Sequence, residues 1–480
     1  MNGIRNVRMD VDQRTAVDVS VNAVVSAGAG SGKTTVLAER YLRLVREGEA
    51  GVENILTLTF TRKASAEMYE RIHRRLLENQ EDPHVADGLL AFDRAQISTL
   101  DSFCGQIARA DSARFGIPPD FSTDEGRVRD LVERTALDFL LAHRREDVLV
   151  RLIGQNGLEK VWQDCFASLG RDYFHVARQV DFNSMAQDQA QALKTFLADE
   201  YRVVIGYSPA VAAIDPNAGV SASALVNAYA RLSDWPKRVA DGDVEGVRTE
   251  AHALMKIRLP GAAKKPDLVA AKEILQELRD HTSRVVTIAD TILLAVQTRA
   301  LYGLLAEYEE IVLAGKRSQG LLSFQDVMEM AVAVLRDNMD LRRYYQKRFS
   351  HIMIDEFQDN NGIQRDLLFL LAERPDRGAA GVIPSPEDLD PGKLFFVGDE
   401  KQSIYLFRGA DVSVFKELSG SLSRTGGEAL SLRTNYRSHP ALIRFFNAMF
   451  PSIMAPSDLP FEARFEPLNE RPQVADAATP

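Results

Sequence analysis

The chain has 480 residues, 45% hydrophobic and 26% charged, a soluble globular balance with material for roughly three domains. Its net charge of −10 excludes a protein that coats nucleic acid through overall electrostatics, although a local basic channel stays possible. No apolar run approaches the roughly 20 residues that span a bilayer, the N-terminus lacks a signal peptide's apolar stretch, and Cys104 and Cys165 are too few for a disulfide framework or a Cys-rich metal cluster, so a reducing, cytoplasmic location with no membrane partner is expected.

Residues 22–26 (Asn-Ala-Val-Val-Ser) read as a buried strand that runs into a glycine-rich turn. Residues 34–46 follow with Val36, Leu37, Tyr41, Leu44 and Val45 at helical spacing. A second strand over 54–60 leads to a helix over 63–77, and a short strand over 96–99 leads to a helix starting near Asp101. This alternation predicts an α/β fold with a parallel sheet covered on both faces. The pattern changes at Ile117-Pro-Pro-Asp120. Over 123–318 long Leu/Ala/Glu/Arg stretches keep a helical period, broken at 207–217 and 259–266, which predicts an inserted all-helical domain. Strands resume at 350–355, 393–398 and 428–432, with a Pro- and Gly-containing surface loop over 374–392 and a disordered tail over 473–480. No internal repeat is visible.

In Ala27-Gly28-Ala29-Gly30-Ser31-Gly32-Lys33-Thr34 the glycines let successive amides point at phosphate oxygens, and the next helix adds its positive dipole end. Lys33 offers a mobile cation to the β- and γ-phosphates, and the Thr34 hydroxyl is placed to ligate magnesium. Ile352-Met-Ile-Asp355-Glu356 is an apolar strand ending in two acids. Asp355 can hold the metal while Glu356 accepts a proton from an attacking water. Alone, the first segment could be a chance turn and the second a solvated strand end. Together they read as a nucleoside-triphosphate site.

Asp355-Glu-Phe-Gln358, Val397-Gly-Asp-Glu-Lys-Gln402-Ser-Ile-Tyr405-Leu-Phe407-Arg408-Gly-Ala-Asp411 and Leu432-Arg-Thr-Asn-Tyr436-Arg437-Ser438 closely resemble motifs of superfamily 1 DNA helicases of the UvrD/Rep type. Phe60-Thr-Arg-Lys-Ala64 and Ile97-Ser-Thr-Leu-Asp-Ser-Phe-Cys104 match two more, and Asp12-Gln13 resembles the glutamine motif that precedes the phosphate loop. The matching segments cover about half the chain. Gly398-Asp-Glu-Lys-Gln402 and Ser98-Thr-Leu-Asp-Ser-Phe-Cys104 look most like the AddA/RecB branch, the helicase subunits of helicase–nucleases.

The resemblance implies a P-loop NTPase (RecA-like) motor over 1–116 and 319–435, the helical insertion over 117–318, and the start of a second motor domain over 436–480. It implies that Gln13 reads the adenine edge, for which an amide offers both donor and acceptor. Tyr436 would stack on adenine and Arg437 would reach the γ-phosphate as an arginine finger, worth roughly 10³–10⁵ in turnover. Gln402 would sense the γ-phosphate. Ala27 to Thr35 would cradle ATP with Mg²⁺ held by Thr34 and Asp355. Phe60, Thr61, Arg62, Thr99, Ser102, Tyr405, Phe407 and Arg408 match positions that touch DNA, where rings stack on bases and cations meet the backbone. Core packing is the competing account of Phe60, Tyr405 and Phe407, and an ordinary ion pair or turn amide that of Arg437 and Gln402. A solvated loop accounts better for Lys256, Arg258, Lys264 and Lys265 than phosphate contact does.

Three departures qualify the match. Asp101 stands where relatives usually carry histidine, which weakens a phosphate contact there. Asn360-Asn361 replaces the commoner Thr-Asn, and Thr35 supplies no adenine-packing arginine. The chain also stops soon after Arg437, before the later helicase motifs and before any Asp/Glu-x-Lys nuclease centre. The expectation is therefore the N-terminal, ATP-binding part of an ATP-dependent DNA helicase or translocase. It would act on single-stranded DNA and duplex ends in break repair and recombination, with weak turnover at this length, and its partner would be a second helicase–nuclease subunit. The alternative is an ATP-gated DNA-binding or partner-docking module that never unwinds. A small-molecule kinase fits poorly, because Gln402 to Arg408 would then have no use.

Overall fold

A computed structural model describes residues 9–471 apart from 231–234, 236–237, 239–240, 242, 259–264, 407–408, 455–461 and 464. The chain divides into two compact units. The first comprises Met1–Glu125, His175–Ala177 and Arg317–Pro480, and the second Gly126–Phe174 and Arg178–Lys316.

The first unit is built on six parallel strands: β1 (Ala23–Ala27), β2 (Ile55–Thr59), β3 (Gln96–Thr99), then, after the two-residue ladder of β4 (Ser122–Thr123) with β5 (Leu321–Leu322), β6 (His351–Ile354), β7 (Leu394–Gly398) and β8 (Glu428–Leu432). Their order is β3-β2-β6-β7-β1-β8. Every residue of β2 and β7 is buried, as a sheet covered on both faces requires. Four helices of this unit precede the end of β3: α1 (Val11–Asp18), α2 (Lys33–Arg46), α3 (Arg62–Glu78) and α4 (Pro83–Leu90). One core layer joins Val25 of β1 and Phe395 of β7 to Val36, Leu37 and Tyr41 of α2 and to Met68 and Ile72 of α3. In register, Ala23 of β1 faces Phe395 and Ala27 faces Leu432. The carboxyl ends of β6, β7, β1 and β8 are therefore neighbours, and those ends are where an open α/β sheet presents its ligands. The phosphate loop follows β1, Asp355-to-Gln358 follows β6, Asp399-to-Tyr405 follows β7, and Asn435-to-Arg437 lies just beyond β8.

Among its described residues the second unit is built from helices, as the helical period over 123–318 predicts. Its long members Phe182–Gly206 and Pro266–Leu293 pack with Val220–Tyr229 and Val244–Met255 around Leu197, Val204, Leu225, Trp235, Leu278 and Val285. The helical run breaks over 207–217 as expected: the long helix ends at Gly206, and a short helix and a 3-10 turn, Pro216–Ala218, fill the stretch before Val220. Pro209 sits in the first turn of a new short helix, Ser208–Ala212, where its missing N–H costs nothing. The loop over 374–392 is pinned at its base by a bridge between Glu373 and Leu389. Helices α1, α4, Phe324–Asp337 and Met339–Arg348 have no counterpart in the sequence reading. Residues 259–264 and the tail over 473–480 lie outside the described residues. Among the described residues no single helix is long and apolar enough to cross a membrane.

Candidate nucleotide and nucleic-acid site

The phosphate loop leaves β1 and enters α2 through Gly32, whose φ of 90° needs glycine. Gly28 N–H donates to the Leu432 carbonyl, fixing the loop to the end of β8. Gly30 also has a positive φ, 72°, and it admits the segment Asn435 to Arg437. A Cβ there would lie 2.8 Å from the Cβ of Arg437 and 2.9 Å from Nδ2 of Asn435. Tyr436 N–H donates to the Gly30 carbonyl at 2.9 Å, and Asn435 Nδ2 donates to the Ala29 carbonyl at 2.5 Å. Asn435 Oδ1 accepts the amides of Arg437 and Ser438. Two segments some 400 residues apart thus form one platform, with the exposed Arg437 at its edge.

The acidic pair faces this platform. Asp355 follows β6 and is held by its amide to the Leu58 carbonyl of β2. Burial, then Glu356, raise its carboxyl to about 6, while Lys33 pulls it down. Glu356 has φ 53° and ψ 43°, the left-handed region, and among the described residues it is the one non-glycine with positive φ. Strain of this kind is held where the surroundings over-determine it, commonly in working sites. Here Oε2 of Glu356 accepts Lys33 Nζ at 2.5 Å and Gln358 Nε2 at 2.9 Å. The predicted phosphate-binding cation and the predicted base are therefore paired with each other.

Gln358, given no role from sequence, is the hub of a polar chain. Its Oε1 accepts the Asp399 amide, and its carbonyl accepts the Ser403 hydroxyl. Gly398 lets β7 come this close, since a Cβ there would lie 2.7 Å from Gln358 Oε1. Asp399, 1% exposed, accepts Gln402 Nε2 at 2.7 Å and pairs with Lys401. Beyond Ser403, the Tyr405 ring lies 5.0 Å from that of Phe60, at the end of β2. Both residues are half-buried. Asp359, next to Gln358, is raised to about 6, again by burial and by Glu356.

At the other end of the platform, Asp10 caps helix α1 by accepting the Gln13 amide, and it also accepts the Tyr436 hydroxyl at 2.6 Å. Burial and Asp10 push that phenol up to about 12. Gln13, 5% exposed, donates to the Ser31 carbonyl and accepts the Asp10 amide. Gln13 and Tyr436 thus flank the phosphate loop together. Thr35 is reached by Arg71 of α3, whose Nη1 donates to its hydroxyl at 3.3 Å, a contact no sequence motif announces.

The donor set fits a magnesium nucleoside triphosphate. The Ser31 hydroxyl is buried without a hydrogen-bond partner, and the first amides of α2 have no intrahelical acceptor. Thr34, in the first turn of α2, and Asp355, at the end of β6, are the residues that would hold the metal. Among the described residues there is no cluster of three or more His, Cys, Asp or Glu side chains that could hold a metal ion.

Phe60, Thr61, Arg62, Thr99 and Ser102 line a single cleft of about 550 Å³ at the ends of β2 and β3. Thr61 and Thr99 cap α3 and α5 (Leu100–Ala110), and the hydroxyls of Thr99 and Ser102 meet at 2.8 Å. Asp101 lines the cleft too, and so do Arg109 and the 41% exposed Phe324, which have no place in the sequence reading of DNA contacts. Only the exposed aromatic distinguishes Phe324, and exposure is not legible in sequence. Phe407, Arg408 and Lys264 lie outside the described residues. In the helical unit Lys265 reaches the Ala218 carbonyl, a structural use.

The UvrD/REP helicase N-terminal domain matches residues 9–423 of the chain. Similar curated proteins are the A subunits of the ATP-dependent helicase/nuclease from Syntrophomonas wolfei, 26% identical over 93% of this chain, and from Staphylococcus carnosus, 27% identical over 95%. The chain spans 38% and 41% of those relatives' lengths.

Proposed function

We propose a function from one premise: the chain belongs to the UvrD/REP helicase family, to which its N-terminal domain matches. In this reading it is the ATP-binding part of an ATP-dependent DNA helicase, working on single-stranded DNA entered from duplex ends, in double-strand break repair and recombination. The names of the relatives support an AddA-like assignment, in which a second helicase–nuclease subunit is the partner and the setting is cytoplasmic.

The observation that carries the reading is the Lys33–Glu356 pair set against the Asn435-to-Arg437 platform. A triphosphate seated on the loop attracts Lys33 away from Glu356. The freed carboxylate can then orient water and accept its proton, a contribution of roughly 10²–10⁴. Mg²⁺, held by Thr34 and Asp355, would supply charge neutralisation at the phosphates. Arg437 would add its guanidinium to the same oxygens, and Gln402 would respond to them. The polar chain Glu356–Gln358–Asp399–Gln402 continues through Ser403 toward Tyr405 and Phe60, so a shift of Glu356 has a physical route to the cleft. In that cleft Arg62 would meet the phosphate backbone while Phe60, Tyr405 and Phe324 would offer rings to bases.

The test is phosphate release from Mg-ATP with and without single-stranded DNA. Stimulation by DNA in the wild type and its loss in Lys33→Ala support the reading. DNA binding that responds to ATP with no phosphate release in any condition would instead favour a gated binding module.

A further inference from the structure

Arg71 brings a third cation to the phosphate loop, and it comes from α3 rather than from the loop or its partner carboxylates. Its Nη1 donates to the Thr35 hydroxyl at 3.3 Å. Thr35 directly follows Thr34 in the first turn of α2, and Thr35 and Arg71 line one cleft of about 370 Å³ beside that helix. The two acids in the same cleft, Glu39 and Glu78, are taken by Arg75, which donates to both. Arg71 is exposed, and among the described residues it forms no ion pair, so most of its five N–H groups stay available. Its charge also reaches the metal end of the site. Burial raises the Asp355 carboxyl, and Arg71, with Lys33, pulls it back down.

A triphosphate on such a loop is shared out by position. The loop amides cradle the α- and β-phosphates, the lysine reaches β and γ, and the threonine after it meets the metal. Thr35, one residue further along α2, is left for the α-phosphate. Its hydroxyl already accepts from Arg71, so its own hydrogen is free to donate to an anionic oxygen. We infer that Arg71 and Thr35 together hold the α-phosphate, and that Arg71 is the cation by which the site retains a nucleoside diphosphate after hydrolysis. Lys33 and Arg437 act toward the end of the ligand that hydrolysis removes, whereas the α-phosphate stays in place. The inference rests on the nucleotide-binding reading of the loop and deepens it, because it assigns a separate grip on the product.

Isothermal titration of the 480-residue chain with Mg-ATP, Mg-ADP and Mg-tripolyphosphate tests it. Arg71→Ala should weaken all three about 5- to 10-fold, the scale of one charge-assisted contact at an exposed site, since each ligand can present a phosphate there. Release of mant-ADP, followed by stopped flow, should quicken by a similar factor. Arg71→Lys keeps the charge but not the fork, so part of the loss should return. Thr35→Val removes the hydroxyl from the other element and should weaken the same three ligands. Loss confined to ATP would place Arg71 at the γ-phosphate and overturn the inference. Loss on ATP and ADP but not on tripolyphosphate would place it on the nucleoside, and unchanged affinities would leave it a surface residue; either overturns it as well. Failure of the wild type to bind any of the three would remove the nucleotide reading itself, a result distinct from binding to which Arg71 is indifferent.

Discussion

Replacing Asn435 with alanine removes three hydrogen bonds at once from a side chain that is 3% exposed. The Ala29 carbonyl loses its donor, and the amides of Arg437 and Ser438 lose their acceptor. A typical net contribution is about 1 kcal/mol per bond, more where the abandoned partner stays buried. The exposed position of Arg437 allows water to replace part of the loss, so the platform should weaken by about 2–3 kcal/mol. Because these bonds seat Tyr436 and Arg437 on the phosphate loop, most of that loss should appear as misplacement of the guanidinium rather than as global unfolding. kcat/KM for DNA-stimulated ATP hydrolysis should fall roughly 30- to 100-fold, since about 1.4 kcal/mol is a factor of ten. Hydrogen exchange of the Tyr436 amide, now bonded to Gly30, should accelerate in parallel, while the urea midpoint moves little. Wild-type turnover together with accelerated exchange would show that docking of this segment has no bearing on catalysis. Unchanged exchange would show that Asn435 does not hold it.

Gly30→Ala should be more damaging than its size suggests. A left-handed backbone costs a non-glycine residue about 1 kcal/mol, and the new Cβ would crowd Asn435 and Arg437, at 2.9 and 2.8 Å, so ATP affinity and thermal stability should both drop. Arg342 is wholly buried and binds Glu373 while also donating to the carbonyls of Leu335, Arg336 and Ala379. Arg342→Ala leaves a buried carboxylate without its cation, so urea denaturation should report a loss of about 3–5 kcal/mol. The pH dependence follows from Asp355, whose carboxyl is raised to about 6. Mg-ATP needs the ionised form, so affinity should be flat above that pH and fall about tenfold per unit below it. Without ligand the sign reverses: the raised group stabilises the fold fully below its ordinary 3.8, and that contribution disappears as pH rises through about 6. Isothermal titration and denaturation at matched pH values separate the two effects.

Much of this arrangement is legible in sequence because local chemistry and register coincide. An apolar run ending in Asp355-Glu356, or a glycine loop between strand and helix, announces both its element and its use. The order of the strands is not legible. Nothing local says that β7 lies between β6 and β1, yet that order brings Asp399 to Gln358. Hubs escape for the same reason. Gln358 and Asn435 stand inside recognisable motifs, but each also bonds a partner dozens or hundreds of residues away, Asp399 and Ala29. Arg71, on an exposed face of α3, gives no periodic signal for its contact with Thr35. The helices flanking the insertion are obscured because Phe324–Asp337 continues the same helix-favouring composition. The break at 207–217 is legible because Pro209 and Pro216 each sit in the first turn of a new short element rather than inside a long helix.

The central claim is that Lys33 exchanges between Glu356 and a bound triphosphate, and Glu356→Gln measures it most directly. The substitution keeps the shape but weakens the competition for Lys33, whose ammonium now lies 2.5 Å from the Glu356 carboxylate. Equilibrium binding of Mg-ATP should be as tight as in the wild type or tighter, while DNA-stimulated phosphate release falls by about 10² or more. Loss of ATP affinity in proportion to the loss of turnover would contradict the account, because it would make Glu356 a binding group rather than the base that Lys33 releases.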